Sequence, residues 1–312
     1  MFQSLWEDVK RGFQTGNMVT RLIIVNSAVW VLVGVIRILL SSGGGTSMVY
    51  LDIIDFISMP SSFGTLLQHP WSPITSIFLH EDFKHIFWNM ISFYWFGRIV
   101  GDLLGNHRIL PLYLLGGLVG DFVFFVVWHI GPYGGSGVSY ALGASAAVMA
   151  MLACAATIAP DYEFNLLFVG NVKLKYIALL LLFMDVLGIA DNFNAGGHFA
   201  HLGGAAFGWI YATNLRQGKD FGAPIVWVID YMSGWWRRLF SGKPPMRKVY
   251  QEDRRRAPAQ EQRPKPKQEP RREAQGEGTQ DKLDSILDKI KQSGYESLTQ
   301  EEKDFLFRAS KK

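Results

Sequence analysis

The 312-residue chain has a single cysteine, Cys154, so it can close no internal disulfide and assemble no cysteine-based zinc site. Charge is scarce over most of its length. Residues 1–242 hold 13 of the 31 Lys and Arg and 14 of the 27 Asp and Glu, a net charge of −1, whereas residues 243–312 carry +5. The whole-chain charge of +4 is therefore a property of the tail. A near-neutral body excludes a nucleic-acid-binding surface on the folded part, despite an isoelectric point of about 9.0. The chain also lacks the basic, then apolar, then small-residue order of a cleavable signal peptide: residues 1–18 read as a polar, amphipathic segment with Trp6 and Val9 beside Glu7, Asp8, Lys10 and Arg11.

What the chain has is apolar runs. A bilayer needs about 20 mostly apolar residues per helix, and six segments approach that length: 19–40, 84–101, 110–130, 142–159, 172–189 and 199–215. The fold class expected is an all-α membrane protein, a bundle of six spans. Lys and Arg favour cytoplasmic loops. Residues 41–83, 131–139 and 190–198 contain neither, while Lys10, Arg11, Arg21, Arg98, Arg108, Lys173, Lys175, Arg216 and Lys219 fall in the alternate segments. That pattern puts both termini on the cytoplasmic side of a plasma membrane. The greasy 41–83 connection suits a hairpin or short helices at the outer interface, and Trp227, Tyr231, Trp235 and Trp236 suit an interfacial helix over 218–242.

Polar side chains inside spans are costly and point to function. His85 and Asn89 fall near the start of the second span, Ser145 near the start of the fourth and His201 near the start of the sixth, all of which run inward. At 1.5 Å per residue each lies about 3–10 Å below the outer boundary, so the four share one shallow layer. A serine hydroxyl becomes a nucleophile when a neutral imidazole takes its proton. Asn89, one helical turn after His85, supplies an amide donor, and the Ser145 backbone N–H at a helix start supplies another for an oxyanion. Asp185 and Asp121 lie in spans running the other way, so a Ser145–His201 dyad without a carboxylate is expected. Small residues on the fourth span and Gly203, Gly204 and Gly208 on the sixth allow close approach.

The run Leu79-His80-Glu81-Asp82-Phe83-Lys84-His85-Ile86-Phe87-Trp88-Asn89-Met90, then Gly143-Ala144-Ser145-Ala146, then Gly197-His198-Phe199-Ala200-His201-Leu202-Gly203-Gly204 resembles, in order and spacing, the three signatures of rhomboid intramembrane serine proteases. The resemblance covers about residues 19–215 of a domain placed at 19–217, and implies Ser145 as nucleophile, His201 as general base and acid, and His85, Asn89 and the Ser145 N–H as oxyanion donors. Gly143, Met149, Gly203 and Gly204 would pack the site. It departs from the family at Ala146, where a second glycine is usual, at Ser72 after Trp71, where many members have Arg, and at Met149, where some have Tyr. It implies transmembrane protein substrates unwound near the outer face of the bilayer, with no cofactor. A client-binding relative that does not cut is the alternative.

His80, His85, His198 and His201 also raise a metal site, but His80 and His85 are five apart and no carboxylate supports them, so none is expected. His198 reads as a polar rim residue. Residues 243–280 have the composition of a disordered basic linker, and 281–312 read as a short helix–turn–helix with a Thr299…Glu302 capping box. That module is too small to be stable alone, so it either docks on a cytoplasmic partner, a second copy or the membrane, or is a marginal helical tail with no fixed partner.

Overall fold

A computed structural model describes residues 2–41, 46–131, 137–166, 170–191, 194–240, 285–286, 288–290 and 297–309. These divide into two units, Met1–Pro244 and Pro245–Lys312. The linker assigned to 243–280 lies outside the described residues, as do Gly134 and Gly135 of the 131–139 loop.

In the first unit an amphipathic helix α1 (Phe2–Thr15) precedes α2 (Met18–Leu40), which Asn17 caps by accepting from the Thr20 N–H. The long connection folds into α3 (Met48–Ile57), α4 (Phe63–Gln68), α5 (Ser72–Thr75) and a 3₁₀ turn at Ser76–Phe78. Then come α6 (Phe83–Leu104), α7 (Ile109–Ile130), α8 (Ser145–Ile158), α9 (Leu174–Ala190), α10 (Ala195–Arg216) and α11 (Ala223–Phe240). Helix α2, α6, α7, α8, α9 and α10 fall on the six apolar runs. Among the described residues, Met18–Leu40 and Asn106–Ile130 are long and apolar enough by themselves to cross a bilayer.

The all-α expectation needs one correction. Two antiparallel ribbons occur, β1 (Met59–Pro60) with β2 (Tyr140–Ala141), and β3 (Glu163–Leu166) with β4 (Gly170–Lys173). Two to four paired residues between turns leave no periodic signal in a sequence. The first ribbon matters for the site. Ser61 N–H donates to Ser139 O at 2.8 Å, Ser139 N–H to Ser61 Oγ at 2.9 Å, and Gly143 N–H to Ser76 O at 2.9 Å. The segment that leads into α8 is thus sewn to the long connection. That connection is held in turn by Trp71 Nε1 on Phe56 O (2.9 Å) and Thr75 Oγ1 on Ile57 O (2.6 Å).

Helix α8 runs through the centre and is almost entirely buried, with Ala146 to Leu152, Cys154 and Ala155 all enclosed. Its neighbours approach through glycine. A Cβ placed on Gly204 of α10 would lie 2.1 Å from Ala146 O, and one on Gly208 would lie 2.1 Å from Ala150 O. Helix α7 does the same on another face, where Gly116 meets Ala150 Cβ and Gly120 meets Ala146 Cβ. The methyl group of Ala146 therefore points into the space left by Gly120, not into the site. Gly203 faces Val123 of α7 in the same manner. Where backbones touch this closely, dispersion contacts and backbone polar groups replace the side-chain interdigitation of a soluble core.

Two polar clusters are paired across helices. Tyr113 OH of α7 donates to Asn26 Oδ1 of α2 at 3.1 Å and stands 3.2 Å from Ile77 O, while Asn26 Nδ2 returns to Leu22 O at 2.8 Å. Asp220 accepts from Arg108 Nε (2.9 Å), Tyr211 OH (3.0 Å) and Gly222 N–H (2.8 Å), fixing the entry to α11. In that helix Trp227, Tyr231 and Trp235 are exposed.

In the second unit Thr299 and Glu302 cap α12 (Gln300–Ala309) reciprocally: Glu302 accepts from Thr299 N–H at 2.7 Å, and Thr299 Oγ1 accepts from Glu302 N–H at 3.4 Å. Lys289 Nζ pairs with Glu302 at 2.9 Å.

Replacing Gly204 with Val should part α10 from α8 and cost at least about 3 kcal/mol, since the obstacle is backbone and not a movable side chain. Gly34→Ala, with open space around it, serves as control. Thermal unfolding in detergent checks the pair, and equal midpoints for both variants would refute the packing argument.

Candidate active site

Ser145 is the first residue of α8, so its backbone N–H has no intrahelical acceptor and faces outward from the positive end of the helix. Its Oγ lies 2.7 Å from Nε2 of His201, which stands two turns into α10. The residues are 56 apart in sequence, and the Gly204 approach is what closes the gap.

The expectation of a dyad without a carboxylate is corrected by the structure. His201 Nδ1 lies 2.8 Å from Asp185 Oδ1 on α9. Asp185 was set aside because its helix runs in the opposite direction, but it sits five residues from the far end of α9, about 7–8 Å along the axis. That depth matches His201, six residues from the start of α10. Asp121, by contrast, lies in the interior of α7 and accepts from Ser76 Oγ at 2.9 Å. It belongs to the scaffold that holds the long connection.

His198 is also corrected. It is not a solvated rim residue, because its Nδ1 stands 2.8 Å from the same Asp185 Oδ1. Asp185 is buried, while the two imidazoles are about three-quarters buried. With Nδ1–H donated to the carboxylate, the Nε2 lone pair of His201 is left for the serine hydroxyl; this is the tautomer that satisfies both partners.

Opposite Ser145, α6 presents His85 and Asn89. Asp82 caps α6 through the His85 N–H at 2.8 Å, and Asn89 Nδ2 donates to His85 O at 3.0 Å, leaving its second amide hydrogen for another acceptor. Gly143 is required between them and Ser145. It adopts φ +126°, and a Cβ there would lie 2.7 Å from His85 Nε2 and 3.8 Å from Ser145 Oγ. His85, Asn89, Ser145, Met149, Asp185, His198 and His201 all line one cavity of about 850 Å³. The structure thus brings together all the residues singled out for chemistry, with Gly203 and Gly204 behind them as spacers.

One side chain beside the site was not read from sequence in its observed form. His80 packs edge-on against His85 at 5.0 Å between ring centroids, is buried, and has no well-formed hydrogen bond to either ring nitrogen. Burial, with the neighbouring His85, pushes it down to about 4, and the Phe78 backbone only partly opposes this. Trp71 stacks on His69 and packs at a tilt against Phe56, anchoring the long connection with Ser72 in place of an arginine. His107 lies against Gly105, and His129 Nδ1 lies 2.8 Å from Phe125 O, both away from the cavity.

Comparison with known proteins gives a match to the Rhomboid domain family over residues 67–218. Residues 273–312 match a family of unknown function, DUF6576. The chain is 36% identical over 158 residues to RHOMBOID-like protein 12, mitochondrial, of Arabidopsis thaliana, covering 47% of this chain and 46% of that protein. It is 31% identical over 162 residues to the human presenilin-associated rhomboid-like protein, mitochondrial (49% and 38%). It is 29% identical over 161 residues to Rhomboid protein 1, mitochondrial, of Saccharomyces cerevisiae (48% and 43%). The chain thus spans less than half the length of these curated relatives. All three relatives are named as mitochondrial proteins, which contradicts the expectation of a plasma-membrane location.

Because His80 is held neutral, its contribution is complete above about pH 6.5, the ordinary histidine value, and is lost as pH falls toward 4, where the unfolded chain takes up a proton that the folded chain resists. Unfolding midpoints should fall over that window in the parent chain and fall less in His80→Gln. Parallel curves would contradict the assignment.

Proposed function

As a member of the rhomboid family through residues 67–218, this chain is, we propose, an intramembrane serine endopeptidase that hydrolyses peptide bonds in transmembrane segments of other proteins. The observation that carries the reading is the continuous relay from Asp185 through His201 to Ser145, with steps of 2.8 and 2.7 Å, on the wall of an 850 Å³ cavity. A serine hydroxyl and an imidazole at hydrogen-bond distance, with the imidazole oriented by a carboxylate, form the constellation that serine hydrolysis needs.

Ser145 Oγ attacks the substrate carbonyl carbon while its proton passes to His201 Nε2. The imidazolium that forms is stabilised through Nδ1–H by Asp185, which stays ionised. The negative oxygen of the tetrahedral intermediate is met by the Ser145 N–H, the free amide hydrogen of Asn89 and the His85 ring. His201 then gives its proton to the leaving amine, an acyl-Ser145 ester remains, and water activated by the same imidazole releases the acid and restores the serine.

Helix α2, α6, α7, α8, α9 and α10 are read as six spans, with both termini on one side and the site opening toward the other. The exposed aromatic residues of α11 suit the membrane interface beside them. A substrate helix hides its carbonyls in its own hydrogen bonds, so it must unwind in the cavity before attack. Segments weakened by Gly or Pro, with small residues at the cut, should be preferred.

The test is co-reconstitution of the full chain with tagged single-span proteins. Ser145→Ala and His201→Ala should abolish fragment formation. Asp185→Asn should lower the rate by on the order of 10²- to 10⁴-fold while Ser145 and His201 stay in place. Cleavage that survives Ser145→Ala would refute the reading.

A further inference from the structure

The relay needs one imidazole on the Asp185 carboxylate, yet the fold supplies two. Helix α9 offers Asp185 and, three residues on, Gly188; α10 offers His198 and His201 at the same spacing, so both pairs lie on facing surfaces. Gly188 makes room for the extra ring, since a Cβ there would lie 2.2 Å from His198 Nε2. Both Nδ1 atoms converge on the same oxygen, Asp185 Oδ1, at 2.8 Å, and the three donor atoms lie within 4.8 Å of one another.

We propose that Asp185, His198 and His201 form an inhibitory binding site for a divalent transition-metal ion, with Zn²⁺ as the fitting class. Two imidazole nitrogens and one carboxylate oxygen are a zinc donor set, and they disfavour Mg²⁺ and Ca²⁺, which prefer oxygen. Tetrahedral bonds of about 2.0–2.1 Å put donors about 3.3 Å apart, so each Nδ1–Oδ1 separation lengthens by about half an ångström while the two imidazole nitrogens, which lie within 4.8 Å, turn in to the same spacing. The fourth position opens on the cavity, where water can complete the coordination.

The effect on catalysis follows from proton bookkeeping. A neutral imidazole carries one N–H. At rest His201 carries it on Nδ1, toward Asp185, and keeps the Nε2 lone pair for Ser145. Coordination through Nδ1 requires the lone pair there, so the proton moves to Nε2 through solvent with no net gain or loss. Nε2–H then donates to Ser145 Oγ and can no longer accept its proton. The metal-bound chain is therefore silent, and removal of the ion restores it. His198 gives the ion its third protein bond, which makes it the handle by which inhibition can be separated from catalysis.

Binding itself does not depend on the protease reading; only its inhibitory consequence does. The full chain with Ser145→Ala, free of any polyhistidine tag, is titrated in detergent with Co²⁺, whose visible ligand-field bands report tetrahedral coordination. One ion per chain, displaced by Zn²⁺, is expected, and His198→Gln in the same background should weaken it at least about tenfold. Glutamine keeps an N–H for Asp185 but is a poor zinc ligand, so circular dichroism should show the helices intact. In the chain with Ser145 present, Zn²⁺ should inhibit cleavage reversibly, with a half-inhibitory concentration at least about tenfold higher for His198→Gln, each variant referred to its own metal-free rate. Absence of saturable binding, or binding that His198→Gln leaves unchanged, overturns the site. Binding at this site with cleavage unaffected overturns the inhibition. Binding in a chain that cuts no substrate supports the site and counts against the protease reading alone.

Discussion

The contact between α8 and α10 is the constraint on which the rest depends. Two carbonyl oxygens of α8, those of Ala146 and Ala150, lie where side chains of α10 would be, and glycine at 204 and 208 is the only residue type that permits it. This approach brings Ser145 within 2.7 Å of His201 across 56 residues of sequence. Every other packing choice around α8 respects it. Helix α7 comes in through Gly116 and Gly120, and the ribbon of β1 with β2 ties down the segment that enters α8, so the half of the helix that carries Ser145 is held from several sides. In the proposed reaction, a serine held by backbone contact on several sides would need little reorganisation, which is where preorganised sites gain their advantage.

The unusual part of the arrangement is a carboxylate with two imidazoles. Asp185 is buried, so its charge must be met by donors, and one histidine leaves the other lone pairs of the carboxylate unanswered. His198 answers part of that demand. It also makes the carboxylate a shared resource: whatever draws on it through His198, whether a proton or a metal ion, acts on the basicity of His201. Residues that solve a burial problem beside a reactive pair become part of its chemistry.

Much of this was legible in the chain because the physics is one-dimensional. The apolar runs foretold α2, α6, α7, α8, α9 and α10, and the four polar residues at the starts of inward-running segments shared a layer for reasons of rise per residue alone. The Thr299–Glu302 cap was legible because its geometry is local. What failed was three-dimensional. Asp185 was excluded on the direction of its helix when its distance from the helix end was the relevant quantity, and counting inward from the 190–198 loop would have placed it level with His201. Gly188 carried a signal only once His198 was known to need its space. The two ribbons, and the neutral buried His80, depend on contacts between segments far apart and left no pattern to read. Loop charge bears on which side of a membrane a loop lies and not on which membrane it is, and the mitochondrial relatives contradict the plasma-membrane expectation.

The central claim is that Ser145 is an activated nucleophile. The direct measurement is reaction of the full chain, in a bilayer, with a fluorophosphonate that esterifies activated serines, followed by mass spectrometry of the modified peptide. The account predicts a single adduct on Ser145 that forms in the folded chain and is lost both on unfolding and in His201→Ala. No adduct in the folded chain, or one on another serine with Ser145 unmodified, would contradict it.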